Sequence, residues 1–179
     1  GTSGVAAVEI AARLQAAEKP LVIVGGGVWS AQAAADLARF ATRFELPVGT
    51  AFRRQDYFDN QHPHYAGDVG IGINPALAAK VKQADVILAL GTRLGEITSS
   101  GYSLFDIPNP QQRLIHVYPD ATELGRIYRA DQAVVCSPID MVRALAELEP
   151  DTPLCDSTWR QGFHQAYRAW SSPQHSVGA

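Results

Sequence analysis

Cysteine is scarce in this sequence, an excess of positive charge and long apolar runs are missing, and each of these features argues against a class of protein. Cys136 and Cys155 are the only cysteines among 179 residues, and they lie too far apart for a CxxC motif, so reduced thiols are expected. The net charge is −3 and no basic stripe is interleaved with aromatic residues, which argues against a nucleic-acid partner. No apolar run reaches membrane-spanning length and no signal segment is evident, so we expect a cytoplasmic protein without a membrane partner.

Short apolar runs alternate with amphipathic segments along the whole chain, and this alternation predicts an α/β fold. The predicted strands cover residues 21–24, 47–50, 86–90, 113–118 and 133–135, and the predicted helices cover 5–17, 30–44, 74–83, 137–148 and 159–170. Residues 52–73 show no clear periodicity and are predicted to form a long irregular loop. Short connections between strands and helices imply right-handed crossovers. We therefore predict a doubly wound parallel sheet in a Rossmann-like three-layer sandwich of the DHS-like NAD/FAD-binding type.

The triple glycine Gly25-Gly26-Gly27 directly follows the first predicted strand, where parallel sheets usually bind ligands. Glycine lets backbone N–H groups approach a phosphate, and the helix beginning near Ser30 adds the positive end of its dipole. The pattern is an incomplete dinucleotide fingerprint, because Ser30 stands at the third glycine position. The second strand also ends in Thr50 and Ala51, where an acidic residue is needed. A standard NAD site is therefore disfavoured, and both a phosphate-binding turn and a tight turn without ligand remain open.

Few other residues suggest chemistry. Arg93 follows a buried strand and a glycine, so its guanidinium is suited either to a phosphate or to an ion pair with Glu96 or Asp106. The segment His62-Pro63-His64 lacks acidic or cysteine ligands at zinc-type spacing, and we predict no metal site. His116 lies within a predicted strand and is interpreted as a hydrogen-bonded residue of the sheet. No Walker lysine and no G-x-S-x-G motif is present.

Five stretches, taken in order, resemble a known family. They are residues 18–28, 46–48, 62–70, 84–93 and 115–120. Together they resemble the central domain of thiamine-diphosphate-dependent enzymes of the acetolactate synthase, pyruvate oxidase and benzoylformate decarboxylase group. The resemblance covers about residues 5–148.

The resemblance implies a division of labour between three α/β domains. The first domain supplies a glutamate that activates the cofactor, and the third holds the diphosphate through Mg²⁺ with a G-D-G…N segment. The central domain does neither, and Gly67-Asp68-Val69 is not that segment. We therefore predict a central domain over residues 1–150 and a linker toward a missing C-terminal cofactor-binding domain over 151–179, with no catalytic residue in this chain.

The parent enzyme implied by the resemblance is a decarboxylase or carboligase that acts on 2-keto acids with thiamine diphosphate and Mg²⁺. Its partners are the flanking domains of the same chain, and it assembles as a homodimer or homotetramer, largely through those domains. The isolated chain is expected to be a structural domain that is not catalytic by itself.

In some members of the resembled family the central domain binds FAD or an adenine nucleotide, which is the alternative function. The positions that match this site are Gly25, Gly26, Gly27, Gly67, Gly70, Gly91, Arg93 and Asp120. Residues 71–73, 94–97 and 118–120 depart from the acetolactate synthase pattern, which predicts a weak or vestigial crevice. A second alternative is an FAD domain like that of electron-transfer flavoproteins, which uses a similar sheet.

Overall fold

The computed structural model describes residues 2–26, 29–51, 58–59, 61–69, 74–93, 112–124, 130–151 and 157–171. Five helices and six strands lie in these stretches. The helices are α1 (Thr2–Ala16), α2 (Ala31–Phe44), α3 (Pro75–Gln83), α4 (Pro138–Ala146) and α5 (Thr158–Trp170). The strands are β1 (Pro20–Val24), β2 (Val48–Thr50), β3 (Tyr65–Asp68), β4 (Val86–Leu90), β5 (Arg113–Tyr118) and β6 (Gln132–Val135).

The six strands form one sheet in the order β3-β2-β1-β4-β5-β6, and every neighbouring pair is parallel. Side chains alternate between the two faces of the sheet. On β1, Val22 and Val24 join the apolar cluster of α1, α2 and α4, whereas Leu21 and Ile23 join the cluster of α3 and α5. This arrangement confirms the predicted doubly wound, three-layer fold.

Three helices begin where the sequence predicts them. Ser30, Asn74 and Ser137 each accept a hydrogen bond, through a side-chain oxygen, from a backbone N–H in the first turn of the following helix. These bonds satisfy donors that a helix start otherwise leaves without a partner. No helix in the described stretches is both long enough and apolar enough to cross a membrane.

The prediction of an irregular loop over residues 52–73 is wrong in part, because Tyr65–Asp68 form the strand β3 at one edge of the sheet. β3 pairs with β2, and the register shifts between Val48 and Gly49. Within β3, Gly67 has a φ of +115°, which few other residues adopt. The strand also lacks the apolar run that predicts the other strands. Residues 52–57, 60 and 70–73 lie outside the described part of the chain.

The helix predicted near residues 159–170 is confirmed as α5, and it packs on the same domain. Phe163 is completely buried in the cluster that contains Leu77 of α3. The indole Nε1 of Trp159 donates to the carbonyl oxygen of Pro20 at 2.6 Å, and Asn74 Nδ2 donates to the carbonyl oxygen of Ala166 at 3.1 Å. That the chain leads to a further domain after residue 150 stays a prediction.

Candidate functional site

The carboxyl ends of the central strands meet at one edge of the sheet. The strand order reverses between β1 and β4, which makes this the switch point where sheets of this kind bind ligands. Gly25 follows β1, Gly91 follows β4, and Asp120 lies just after β5. The N–H of Gly25 donates to the Leu90 carbonyl at 3.1 Å, and that of Gly91 donates to the Val117 carbonyl at 2.8 Å. The backbone after each strand therefore stays bonded to its neighbour.

The glycines at this edge are required by close contact between backbones. Gly26 has a φ of +103°, and a Cβ built there would lie 2.5 Å from the carbonyl oxygen of Gly91. Gly91 has a φ of +73°, and its Cβ would lie 2.7 Å from the carbonyl oxygen of Gly25 and 2.8 Å from Cγ of Pro138. A Cβ on Gly25 would lie 2.9 Å from Cβ of Thr92. Packing between the two strand ends thus explains these three glycines without a ligand.

Of the three other glycines predicted for the site, the structure describes only Gly67. Gly67 lies in β3, where a Cβ would make only ordinary contacts with Leu77 and Tyr167, so its positive φ is the reason for glycine. Gly27 and Gly70 lie outside the described residues. The structure therefore brings Gly25, Gly26 and Gly91 together.

Arg93 is exposed at the end of β4, at the same edge as the glycines. Its Nε donates to the hydroxyl oxygen of Tyr118 at 2.8 Å. The alternative partners Glu96 and Asp106 lie outside the described residues. A phenol hydroxyl that accepts from the guanidinium orients Arg93 without neutralising its charge.

Asp120 lies close enough to Arg93 for their charges to interact. Its Oδ1 accepts hydrogen bonds from the backbone N–H and the hydroxyl of Thr122, at 2.9 and 2.8 Å. These two bonds, with a smaller contribution from the charge of Arg93, hold the pKa of Asp120 below its usual range. The carboxylate is therefore ionised at neutral pH, and it lies near the cationic guanidinium of Arg93.

His116 on β5 is a buried polar residue at the same edge that sequence reasoning did not select as a site residue. Its Nε2 donates to the carbonyl oxygen of Thr92 at 2.9 Å, while Nδ1 has no hydrogen-bond partner in the described structure. Burial lowers the pKa of this imidazole, and the bond to Thr92 opposes that effect. His116 is therefore hydrogen-bonded within the sheet, as the sequence predicts, but only Nε2 makes a bond in the described structure. The signal for His116 in the sequence is its position directly after Ile115 in an apolar strand.

The described residues offer no obvious metal-binding set. No three His, Cys, Asp or Glu side chains within the described ranges come together as metal ligands would. Asp68, the acidic residue of Gly67-Asp68-Val69, lies at the end of β3. A Mg²⁺–diphosphate group needs several oxygen ligands, and the described residues do not bring such a set together.

Comparison with known families gives a match over most of the chain. The family described as "Thiamine pyrophosphate enzyme, central domain" matches residues 7–145. The matched region extends from α1 to α4 and ends before α5.

Several curated proteins are similar to this chain. A sulfoacetaldehyde acetyltransferase from Alcaligenes xylosoxydans xylosoxydans is 30% identical over 154 residues, which cover 86% of this chain and 25% of that protein. A protein of the same name from Rhodobacter capsulatus is 36% identical over 118 residues, covering 65% of this chain and 20% of the relative. A 3D-(3,5/4)-trihydroxycyclohexane-1,2-dione hydrolase from Bacillus cereus is 35% identical over 88 residues, covering 49% and 14%. The chain thus spans a quarter or less of the length of these relatives.

Proposed function

Because the chain belongs to the central-domain family of thiamine pyrophosphate enzymes, we propose that it is a supporting domain that contributes no catalytic residue. The observation that carries this proposal is the backbone contact between Gly26 and Gly91 at the switch point. Packing between the ends of β1 and β4 accounts for Gly25, Gly26 and Gly91, the glycines that would otherwise indicate a ligand at the switch point. The acid–base and metal chemistry of the parent enzyme then belongs to other domains.

The proposal extends to the chemistry of the parent enzyme. The resemblance supports a thiamine-diphosphate enzyme that acts on 2-keto acids by decarboxylation or carboligation. The relatives' names describe an acetyltransferase acting on an aldehyde and a hydrolase acting on a dione, so carbonyl substrates are common to both. This chain covers only 25% and 20% of the length of two relatives, which supports flanking domains in the parent chain. Magnesium, a dimeric or tetrameric parent and a cytoplasmic location stay predictions.

Thiamine diphosphate is expected not to bind this chain, since its described residues do not offer the oxygen ligands that a Mg²⁺–diphosphate group requires. Isothermal titration of the folded chain with thiamine diphosphate and Mg²⁺ should give only the heat of dilution. The full-length parent protein, titrated in the same buffer, serves as the positive control. Saturable binding to the isolated chain with a stoichiometry near one would overturn the proposal.

A nucleotide-binding module is the second candidate, and the position of Arg93 favours it. Arg93 is exposed at the switch-point edge, two residues after Gly91, which meets the turn that contains Gly26. Phosphate groups pair well with arginine at such an edge. The carboxylate of Asp120 beside it weakens the attraction for an anion, so the supporting-domain function remains the first proposal.

The Arg93→Ala variant separates the two candidates. If the chain is only a supporting domain, saturating FAD or ADP should leave its melting temperature unchanged in wild type and variant alike. A bound nucleotide at a hundred times its dissociation constant would instead stabilise the wild type by about 2.7 kcal/mol. A melting-temperature rise that Arg93→Ala abolishes, and that Arg113→Ala at the opposite end of the sheet retains, would establish the nucleotide site.

A further inference from the structure

Helix α5 lies along β3 and makes polar contacts with the strand's outer edge. The carbonyl of His64 points toward β2 and accepts from the N–H of Val48 at 2.9 Å. The next carbonyl, that of Tyr65, points the opposite way and accepts from Nδ1 of His164 on α5 at 2.9 Å. Unpaired edge groups of a sheet readily attract other strands. Within the described part of the chain, helix α5 therefore covers part of the outer edge of β3.

An ion pair also joins α5 to the end of α2. Nε of Arg160 donates to Oε2 of Glu45 at 3.0 Å, and its NH1 group donates to the carbonyl oxygen of Pro63 at 3.0 Å. Glu45 ends α2 in the left-handed conformation, with a φ of +54°, and its backbone N–H donates to the carbonyl oxygens of Ala41 and Thr42. The side chain of Arg160 is 12% exposed and that of Glu45 is 30% exposed, so this pair is partly shielded from solvent.

The imidazole of His64 is buried against this ion pair. Its Nε2 lies 3.5 Å from Oε2 of Glu45, the oxygen that Arg160 already contacts. Neither ring nitrogen of His64 has a hydrogen-bond partner within the described structure. A proton on His64 would place a second buried cation beside a single carboxylate. Burial first, and then the charge of Arg160, lower the pKa of His64 to about 4.

The remaining titratable groups around this cluster come from two elements. His62 lies on the same segment, with its ring 5.0 Å from that of His64, and its own pKa is lowered chiefly by burial. Asp59 raises the pKa of His62, and His164 from α5 lowers it. Apart from Glu45, the groups that act on His64 electrostatically are Arg160 and His62, and both disfavour its protonation.

We propose that α5 is a proton-sensitive clamp on β3, which releases the edge of the sheet in acid when His64 gains a proton. The released state lets water reach the imidazole, because Arg160 on α5 forms part of its surroundings. Tyr167 of α5, whose ring packs edge-on against that of Tyr65 at 4.7 Å, would separate with the helix. The strands β1 and β4 pair with each other and with β2 and β5, so they stay folded, although the bond from Trp159 to Pro20 of β1 is lost with the helix. The inference concerns an element outside the family match and does not rest on the proposed function.

The direction of the pH dependence follows from the two states of His64. In the clamped state the pKa is about 4, whereas an exposed histidine has its ordinary value of 6.5. The released state therefore binds more protons, so clamping is fully stable above the ordinary value and weakens as the pH falls toward 4. At about pH 5 the closing equilibrium should have fallen about twentyfold from its value at about pH 7, and nearly thirtyfold from its value at about pH 7.5.

Hydrogen exchange of the full chain, corrected for the intrinsic pH dependence of exchange, tests the clamp. Between about pH 7.5 and pH 5, the protection of α5 amides should fall about thirtyfold, while that of β1 and β4 stays nearly constant. In His64→Gln, which cannot gain the proton, the selective loss at α5 should disappear. His116→Gln, which removes a buried histidine on β5 instead, should keep the wild-type response.

Three results would overturn the clamp. The first is a loss of α5 protection in His64→Gln that equals the loss in the wild type. The second is no loss of α5 protection in the wild type. The third is a wild-type loss of protection that is as large in β1 and β4 as in α5. If His64→Gln does not fold, the wild type decides the matter alone. The loss at α5 must then have the same midpoint as the titration of the His64 ring followed by NMR, and a clear difference between the two midpoints would reject the proposal.

Discussion

Gly26→Val is expected to lower the free energy of unfolding by about 3 kcal/mol or more, a large fraction of a domain's total stability. Gly26 has a φ of +103°, which a β-branched residue adopts only with strain. A Cβ there would also lie 2.5 Å from the carbonyl oxygen of Gly91. That oxygen belongs to backbone, so relief requires the ends of β1 and β4 to separate.

Urea unfolding of wild type and Gly26→Val, followed by circular dichroism, measures this loss. Gly4→Ala is the matched control, because a Cβ on Gly4 in α1 meets no atom within 4 Å. Alanine favours a helix over glycine by up to about 1 kcal/mol, so the control should be neutral or stabilising. A loss below about 1 kcal/mol for Gly26→Val would contradict the packing explanation and return the triple glycine to a ligand-binding role.

The triple glycine shows how far sequence reasoning reaches. The strand and the helix start at Ser30 follow from local pattern, and the structure confirms both. The partner of Gly26 could not be inferred in this way, because Gly91 lies far along the chain and meets it only when β1 pairs with β4. A glycine needed for backbone contact and a glycine needed for phosphate contact look the same in a sequence.

The errors in the sequence reading have the same origin in distant contacts. β3 was missed because Tyr65–Asp68 has no apolar run, and its strand conformation depends on β2 on one side and α5 on the other. The cluster around His64 was missed because its ion pair joins Glu45 to Arg160, which are distant in sequence. The left-handed end of α2 at Glu45 gave no signal either, since glycine or asparagine usually occupies that position.

Phe163→Ala is expected to lower the free energy of unfolding by about 3–5 kcal/mol, the usual cost of emptying a buried phenylalanine site. Phe163 is completely buried and packs edge-on against Trp159, with ring centroids 4.7 Å apart. It joins Leu77 and Val81 of α3 in one apolar cluster. The resulting cavity cannot close easily, because the indole of Trp159 is held by its hydrogen bond to Pro20.

Trp170→Ala is the matched control for this change, since it also removes an aromatic ring from α5. The side chain of Trp170 is 47% exposed, so the loss should stay near or below about 1 kcal/mol. Equal small losses for both variants would mean that α5 contributes little to the folded domain. A large loss for Phe163→Ala alone would show that the folding unit includes α5, even though the family match ends at residue 145. The fold of this central domain would then depend on a helix beyond the matched region, and the same helix covers the edge of β3.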